Sequence, residues 1–180
     1  MGAEEAKLLR SAQNGDDHAF GRLVEPYLDP LYRLASRILN GRPEAEDAVQ
    51  EALYRAWRAL PTFRQDAKFS TWLYRITWRV CVDMLNKHET LPLDLDVEDR
   101  SRERDPERRL ESIENKSVIE EALKDLSVHY RTALTLFYIE DLSVREIGEI
   151  LGIPVATVKT HLHRARQAMK ARLARFEQKG

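Results

Sequence analysis

The chain has 180 residues, of which 43% are hydrophobic and 33% charged, and its formal net charge is −1. This much apolar sequence can fill a folded core, which argues against a disordered protein. The small number of glycines and prolines, seven of each, favours helix over sheet. No run of about 18 apolar residues is present, so membrane insertion is not expected. Because the net charge is close to zero, any affinity for nucleic acid must come from local segregation of charge.

Several classes of function are disfavoured at this level. The N-terminal residues MGAEEAKLLRSAQNGDD lack the apolar core of a signal peptide, so a cytoplasmic protein is expected. The single cysteine, Cys81, excludes an internal disulfide and reads as a small buried side chain. His161 and His163 are two residues apart on a helix and point to different sides, so no metal site is predicted. Without a glycine-rich phosphate loop or a nucleophile–base set, neither a cofactor nor an enzyme activity is predicted.

Residues 1–88 carry the hydrophobic spacing of a helical domain. Asp16 is the candidate N-cap of its second helix, and Pro43 suits the first turn of its third. Four helices are predicted there, over residues 3–13, 16–39, 43–60 and 70–87.

An acidic stretch then interrupts the helical pattern. Residues 89–99, ETLPLDLDVED, contain five acidic residues and no basic ones. From Glu89 to Asn115, ten acidic residues stand against five arginines with little periodicity, which predicts a solvated linker. Helical periodicity returns near Leu110. The sequence therefore predicts an all-α protein with two small helical domains, 1–88 and 111–180, joined by a flexible acidic linker over 89–110.

The stretch LSVREIGEILGIPVATVKTHLHRARQAMK, residues 142–170, has the pattern of a helix-turn-helix. Ser143 followed by Glu146 three residues later is a capping box at the start of the first helix. Gly152 can take the left-handed conformation that ends this helix, and Pro154 helps to start the next.

The second helix of this motif is amphipathic and basic. Its predicted buried stripe comprises Val155, Val158, Leu162, Ala165, Met169 and Leu173. Its predicted free face comprises Thr157, Lys159, Thr160, His161, His163, Arg164 and Gln167. From Val155 to Lys179 there are seven Lys and Arg and one acidic residue, Glu177. Basic and hydroxyl groups on a free helix face suit the DNA major groove, whereas the alternative is a solvated basic surface helix.

The same segment, extended to LSVREIGEILGIPVATVKTHLHRARQAMKARL, resembles the C-terminal promoter-reading domain of bacterial sigma factors. The group it resembles is the extracytoplasmic-function (ECF) group of the sigma-70 family. AEDAVQEALYRAWRALPTF followed by KFSTWLYRITWRVCVDMLNK is similar to that group's other domain, in the same order and at the same distance. The resemblance covers essentially the whole chain and implies a factor that directs RNA polymerase core to promoters and helps to melt them.

This resemblance also implies partners. They are a coiled coil of the largest polymerase subunit, the flap of the other large subunit, promoter DNA in double- and single-stranded form, and an anti-sigma factor. The positions that match the polymerase-binding motif are Asp47, Gln50, Glu51, Leu53, Arg55 and Trp57. Asp47 and Glu51 are four residues apart, so both carboxylates share one helix face and can meet a basic partner. An ordinary solvated acidic face is the alternative.

The segment FSTWLYRITWR interleaves aromatic residues with arginines, a composition that suits unstacked bases and a single-stranded backbone. Trp72 shares a helix face with Ile76 and Val80 and is predicted to be buried. In the family, the preceding loop, FRQDAK here, captures a flipped base. The minus-ten contacts implied by the resemblance are Phe63, Lys68, Phe69, Ser70, Thr71, Tyr74, Arg75, Trp78, Arg79 and Lys87. Asp83 also matches a family position, and a salt bridge within the domain explains it equally well.

The minus-thirty-five contacts implied by the resemblance are Arg145, Thr157, Lys159, Thr160, His163, Arg164 and Arg166. At two places the sequence departs from the family pattern, so the family's own DNA contacts at those positions do not carry over to this chain. Thr77, Trp78 and Arg79 stand where Ala, Arg and Asn are common, so the family's asparagine contact and minus-ten preference do not carry over. His161 stands at a usual Arg position, which weakens one phosphate contact at neutral pH.

Two other classes of function are alternatives to this interpretation. A stand-alone helix-turn-helix regulator, with residues 1–88 as a sensing or dimerising domain, would bind palindromic duplex sites. It leaves the aromatic and basic helix without a role. An inert helical scaffold leaves the basic recognition helix unexplained.

The charge of residues 89–99 further suggests a linker that mimics a transcript and deters early entry of DNA.

Overall fold

The computed structural model describes residues 2–41, 43–90, 119, 122–124 and 126–177, and these ranges contain helices and no strand. None of the described helices is both long enough and apolar enough to cross a bilayer. The predicted linker falls outside these ranges from residue 91 onward, and so does the hypothesis that its charge mimics a transcript. The all-α fold class is confirmed.

Five helices form the N-terminal unit: α1 (Ala3–Gln13), α2 (Asp17–Val24), α3 (Leu28–Ile38), α4 (Ala45–Ala59) and α5 (Phe69–Thr90). Three helices form the described part of the C-terminal unit: α6 (Val128–Tyr138), α7 (Val144–Leu151) and α8 (Val155–Glu177). α3, α4 and α5 pack against one another in the first unit, and α8 packs against α6 and α7 in the second.

The second predicted helix, over 16–39, is wrong as a single element. A short 3-10 turn at Glu25–Tyr27 divides it into α2 and α3. Pro26 lies in this turn and has no N–H for a helical hydrogen bond, and its ring clashes with the preceding turn. The predicted N-cap is confirmed, because the Asp16 carboxylate accepts the Ala19 N–H at 3.0 Å.

The core of the N-terminal unit is aliphatic on α3 and aromatic on α5. Leu31 and Leu34 of α3 are fully buried. Trp72 is buried as predicted, and its ring centroid lies 4.8 Å from that of Phe63 and 5.7 Å from that of Phe69. Cys81 is also buried as predicted, and it is a free thiol.

The helix-turn-helix has the predicted caps. The Ser143 hydroxyl accepts the Glu146 N–H, and the Glu146 carboxylate accepts the Ser143 N–H at 2.9 Å. Gly152 ends α7 with φ 70°, a left-handed conformation that glycine adopts without strain. One member of the predicted buried stripe is wrong: Val155, the first residue of α8, is 38% exposed. Val158 is fully buried.

The two units contact each other along α3–α6 and α5–α7. Arg131 of α6 is 3% exposed and inserts at the C-terminal end of α3. Its guanidinium donates to the Ile38 carbonyl at 3.3 Å, to the Lys124 carbonyl at 3.1 Å and to the Asn40 side chain. A cation at a helix C-terminus interacts favourably with the helix dipole, so this contact fixes how the two units meet.

The capping box generates a stability prediction for the helix-turn-helix. Ser143→Ala removes the hydroxyl that accepts the Glu146 N–H, so the free energy of unfolding should fall by about 1 kcal/mol. Chemical denaturation followed by circular dichroism measures this change. Ser143→Thr, which keeps the hydroxyl, should lose at most a few tenths of a kcal/mol. Equal losses in the two variants would show that the cap does not stabilise α7.

Candidate protein and nucleic-acid interfaces

One face of α4 carries a stripe of exposed side chains, which we call the α4 stripe: Asp47, Gln50, Tyr54 and Trp57. These residues are three or four positions apart, so they lie in a row along the helix. Tyr54 is 53% exposed and Trp57 44% exposed, and their stacked rings have centroids 6.3 Å apart. The Trp57 indole N–H donates to Asp17 at 3.0 Å, which holds the ring in place. Exposed aromatic rings beside a carboxylate suit a protein partner better than they suit solvent.

Sequence reasoning missed Tyr54. The signal that could have found it is its spacing, since it continues the row of Asp47 and Gln50 toward Trp57 along the same face.

The other residues of the predicted polymerase motif make contacts within their own unit. Arg55 donates to Glu51 at 2.7 Å and to Asp83 of α5 at 3.1 Å. The hydrogen bonds to Glu51 and then to Asp83 raise the pKa of Arg55. The intra-domain salt bridge considered for Asp83 is therefore present. Leu53 is half-buried and packs against the core.

The loop before α5 lines an open cavity of about 330 Å³. Gln13 of α1 positions this loop, because its amide donates to the Leu60 carbonyl at 3.2 Å and to the Phe63 carbonyl at 3.0 Å. We call this space the loop cavity, and its lining residues are Thr62, Phe63, Arg64, Asp66, Ala67, Trp72, Arg75 and Glu149. Its walls combine aromatic faces with two arginines, which suits an unstacked base. Glu149 belongs to α7 of the other unit.

The predicted minus-ten residues fall into three groups. Phe69 and Thr71 are buried in the N-terminal unit, and Phe63 is almost fully buried beside them. Exposed or half-buried members are Lys68, Ser70, Arg75, Arg79 and Lys87. Tyr74 and Trp78 are buried against the C-terminal unit, where the Tyr74 hydroxyl donates to Glu140 at 3.0 Å. The Trp78 ring lies 5.5 Å from that of His129.

Two carboxylates of the C-terminal unit contact this surface. Glu140, whose side chain is 4% exposed, pairs with Arg33 at 3.2 Å and also accepts the Tyr74 hydroxyl. Glu146 pairs with Lys68 at 2.7 Å. The hydrogen bond from Lys68, together with those from Ser143, lowers the pKa of Glu146 to about 2. Burial and Glu140 raise the pKa of Tyr74, which stays a neutral donor.

The free face of α8 is basic and open to solvent. Its exposed side chains include Lys159, Thr160, His163, Arg164 and Arg166. The Arg145 side chain on α7 is 85% exposed and lies 3.6 Å from Glu149. Thr157 is half-buried near the start of α8. A helix with this face and a preceding turn of this geometry fits the major groove of duplex DNA.

His161 does not lie on that free face, and its expected exposure is wrong. The ring is half-buried against α6, with centroids 5.3 Å from Tyr130 and 5.9 Å from His129. Burial lowers the pKa of His161, and the nearby His129 and Arg164 lower it further. A neutral, half-buried imidazole is a packing residue here.

The described residues contain no group of three or more His, Cys, Asp or Glu side chains that could hold a metal ion.

Both units match models of known protein families. The family model of sigma-70 region 2 matches residues 23–90, and that of sigma-70 region 4 matches residues 116–169. The chain is 39% identical over 179 residues to the ECF RNA polymerase sigma factor SigW of Bacillus subtilis, covering 93% of this chain and 95% of that protein. It is 34% identical to the ECF RNA polymerase sigma-E factor of Escherichia coli K12, over 90% of each.

Two solved structures share the fold. One is described as CnrH in complex with the cytosolic domain of CnrY, with a TM-score of 0.71, 26% identity and coverage of 95% of this chain and 97% of that one. The other is the sigma factor RpoE in complex with the anti-sigma factor NepR from Bartonella quintana, with a TM-score of 0.71 and 23% identity. It covers 86% of this chain and 96% of that one.

The buried thiol generates a prediction about reactivity. Burial raises the pKa of Cys81 to about 12. The thiolate population at pH 8 is then about a thousandfold smaller than that of an exposed cysteine. Iodoacetamide at pH 8 should therefore leave Cys81 unmodified in the native protein and modify it in denaturant, as measured by mass spectrometry. Modification at similar rates in both states would contradict its burial.

Proposed function

The chain belongs to the ECF group of the sigma-70 family, and we propose which of its surfaces carry each step of promoter-directed transcription. As a sigma factor it directs promoter-specific initiation by RNA polymerase. It acts where the polymerase is, in the cytoplasm, and the chemistry of RNA synthesis belongs to the polymerase active site. One observation supports this assignment of surfaces. A single chain presents a loop cavity on region 2 that can hold a base, and an exposed basic recognition helix on region 4.

The α4 stripe is the docking surface for the coiled coil of the largest polymerase subunit. Asp47 supplies a carboxylate, Gln50 an amide, and Tyr54 and Trp57 apolar area with polar edges. Glu51 and Arg55 serve this surface indirectly, because Arg55 donates to Glu51 on its own helix and to Asp83 of α5, which holds α4 against α5. Leu53 supports the helix from the core side.

The loop cavity accepts one unpaired base of the minus-ten element. Phe63 and Trp72 provide the aromatic walls, and Arg64 and Arg75 provide cations at its edge. The DNA backbone runs along cations outside the cavity, which are Lys68, Arg79 and Lys87. Phe69 and Thr71 shape the surface from within the core, and Ser70 lies half-buried at the start of α5.

The free face of α8 reads the minus-thirty-five element in the major groove. We assign base edges to Lys159, Thr160, His163 and Arg164, and phosphates to Arg145, Thr157 and Arg166.

Two further protein partners are proposed. An apolar groove of about 790 Å³ lies between α6 and α8, lined in part by Leu134, Tyr138, Ile139, Met169 and Leu173. This groove is suited to the flap of the second large polymerase subunit. An anti-sigma factor is the second partner, since a solved protein of this fold is bound to one.

The direct test is run-off transcription by purified bacterial core polymerase, with and without the chain, on a library of ECF-type promoters. Specific initiation that requires the chain is the expected result. Tight binding to duplex sites with no effect on core polymerase would instead identify a stand-alone regulator.

Polymerase docking through the α4 stripe generates a mutational prediction. Tyr54→Ala and Asp47→Lys should each weaken binding to core polymerase by about 10-fold or more, because an exposed aromatic anchor and a carboxylate are lost. Fluorescence-detected titration of core with labelled chain measures the affinity. Asp29→Lys is the matched control, since Asp29 is also an exposed carboxylate but lies on α3, away from the stripe. A loss in the control equal to that in Asp47→Lys would indicate a non-specific charge effect.

Base capture generates a second mutational prediction. Ala67 lines the loop cavity, and Ala67→Phe places a ring in the space assigned to the base. Initiation on a cognate promoter should fall by about 10-fold or more, with core affinity unchanged. Permanganate footprinting of promoter melting, together with the core titration, separates the two steps. Normal melting by this variant would remove the cavity from the mechanism.

A further inference from the structure

A pocket of about 260 Å³ lies at the junction of the two units, where the end of α3 meets α6, and we call it the junction pocket. It shares no residue with the α4 stripe, the loop cavity or the free face of α8. Its described lining includes four cationic side chains and no carboxylate. These cations are Arg33, Arg37, Lys124 and Arg131. The pocket therefore concentrates positive charge on a chain whose net charge is close to zero.

Two of these guanidinium groups contain a buried donor without an acceptor. Arg131 is 3% exposed, and its terminal nitrogens donate to Asn40 and to the carbonyls of Ile38 and Lys124. Its Nε is buried and has no hydrogen-bond partner among the described residues. The same is true of the Nε of Arg37, a half-buried residue of α3. Because buried N–H groups are almost always paired, two unpaired donors in one pocket indicate an acceptor from outside the chain.

The charge of these two guanidinium groups is not compensated by the part of the chain that the structure describes. Arg33 is paired with Glu140 at 3.2 Å, but no described carboxylate pairs with Arg37 or Arg131. Burial lowers the pKa of Arg131, and no neighbouring anion opposes this effect. A water molecule can accept from an N–H group but leaves the buried charge uncompensated, whereas an anion does both. The junction pocket is therefore better suited to an anion than to water.

The donors and the size of the pocket favour a phosphate group. Guanidinium groups present N–H donors in a planar fork that matches the oxygens of phosphate. The side chain of Ser36 lines the same space and carries a hydroxyl donor. A volume of about 260 Å³ is below the range of about 300–1,000 Å³ that is usual for organic ligands. A small inorganic ion therefore fits better than a whole nucleotide.

We propose that the junction pocket binds a phosphate group, which the guanidinium groups of Arg37 and Arg131 hold between them. Inorganic phosphate is the ligand that fits the pocket, and the phosphate of a nucleotide shares its chemistry. Each unit supplies one of the two guanidinium groups, because Arg37 lies on α3 and Arg131 on α6. Bound phosphate therefore contacts both units and stabilises the folded chain by mass action.

Titration of the ¹⁵N-labelled full chain with inorganic phosphate tests this site. The Nε–Hε groups of arginine give their own NMR signals, and potassium chloride keeps the ionic strength constant so that screening does not change. The signals of Arg37 and Arg131 should shift and saturate, with a dissociation constant on the order of 1 mM. Absence of a saturable shift, or an equal shift on addition of chloride alone, would overturn the proposal.

Substitutions at Arg37 separate a built site from general attraction. Arg37→Gln should weaken phosphate binding by about 10-fold, as measured by the Arg131 signal, because one guanidinium group is lost. Arg37→Lys keeps the charge but lacks the planar fork, so it should also weaken binding, whereas general attraction predicts no change. Arg22→Gln is the matched control, since Arg22 is exposed and pairs with Glu4. Wild-type affinity in both Arg37 variants would show that the phosphate does not bind in this pocket.

A nucleotide distinguishes the two sources of the phosphate group. Adenosine 5′-monophosphate should bind no more tightly than inorganic phosphate if the pocket takes the free ion, as proposed. Binding of the nucleotide that is about 10-fold tighter or more would overturn the choice of the free ion and assign the pocket to a nucleotide phosphate. An equal shift caused by adenosine, which has no phosphate, would overturn recognition of phosphate altogether.

Thermal unfolding provides a second measurement. Phosphate raises the Tm of many proteins by exclusion from their surface, so the informative quantity is the difference between wild type and Arg37→Gln. The increase in Tm from chloride to phosphate at equal ionic strength should be larger for the wild type, because only its site is intact. Equal increases in the two proteins would contradict the site. Because these tests measure binding by the chain alone, their failure is distinct from a failure to direct transcription.

Discussion

The buried guanidinium of Arg131 determines how the two units of the chain meet. Burial lowers its pKa, and its described acceptors are the carbonyls of Ile38 and Lys124 and the side chain of Asn40, all of them neutral. A buried cation without a carboxylate is costly unless dipoles stabilise it, and the C-terminal end of α3 supplies them. These contacts of Arg131 determine where α6 packs on α3. Glu140, two residues beyond α6, is thereby brought to Arg33 and Tyr74.

The same geometry lays α7 along α5 and gives Glu146 two tasks. Within region 4 it completes the capping box with Ser143, and across the junction it pairs with Lys68. Local folding of the helix-turn-helix is thus coupled to the closed arrangement of the domains. Because its pKa is about 2, Glu146 stays ionised near neutral pH, so its pairing with Lys68 persists there. The junction combines these ion pairs with the buried aromatic rings of Tyr74 and Trp78.

Features with a local signal could be predicted from the sequence. The capping box, the left-handed Gly152 and the burial of Trp72 each follow from residue type and short spacing, and the structure confirms them. The break at Pro26 was missed because hydrophobic periodicity continues through it. The orientation of His161 depends on α6, which spacing within α8 does not reveal.

The junction itself could not be predicted, since its ion pairs join residues 78 to 107 positions apart and each carboxylate is ordinary in its own segment. The same limit applies to the minus-ten surface. The composition of FSTWLYRITWR predicts contact with single-stranded DNA, but only the packing of region 4 shows that Tyr74 and Trp78 are covered in the free chain. The residue-level contacts with polymerase and DNA stay proposals.

The most direct measurement is energy transfer between a dye on region 2 and a dye on region 4. Cysteines introduced at the exposed positions Arg10 and Gln167, in a Cys81→Ala background, carry the dyes. The account predicts high transfer in the free chain and a clear fall in Arg131→Met, which lacks the guanidinium that joins α6 to the end of α3. Low transfer in the free wild-type chain, or transfer unchanged by Arg131→Met, would contradict it.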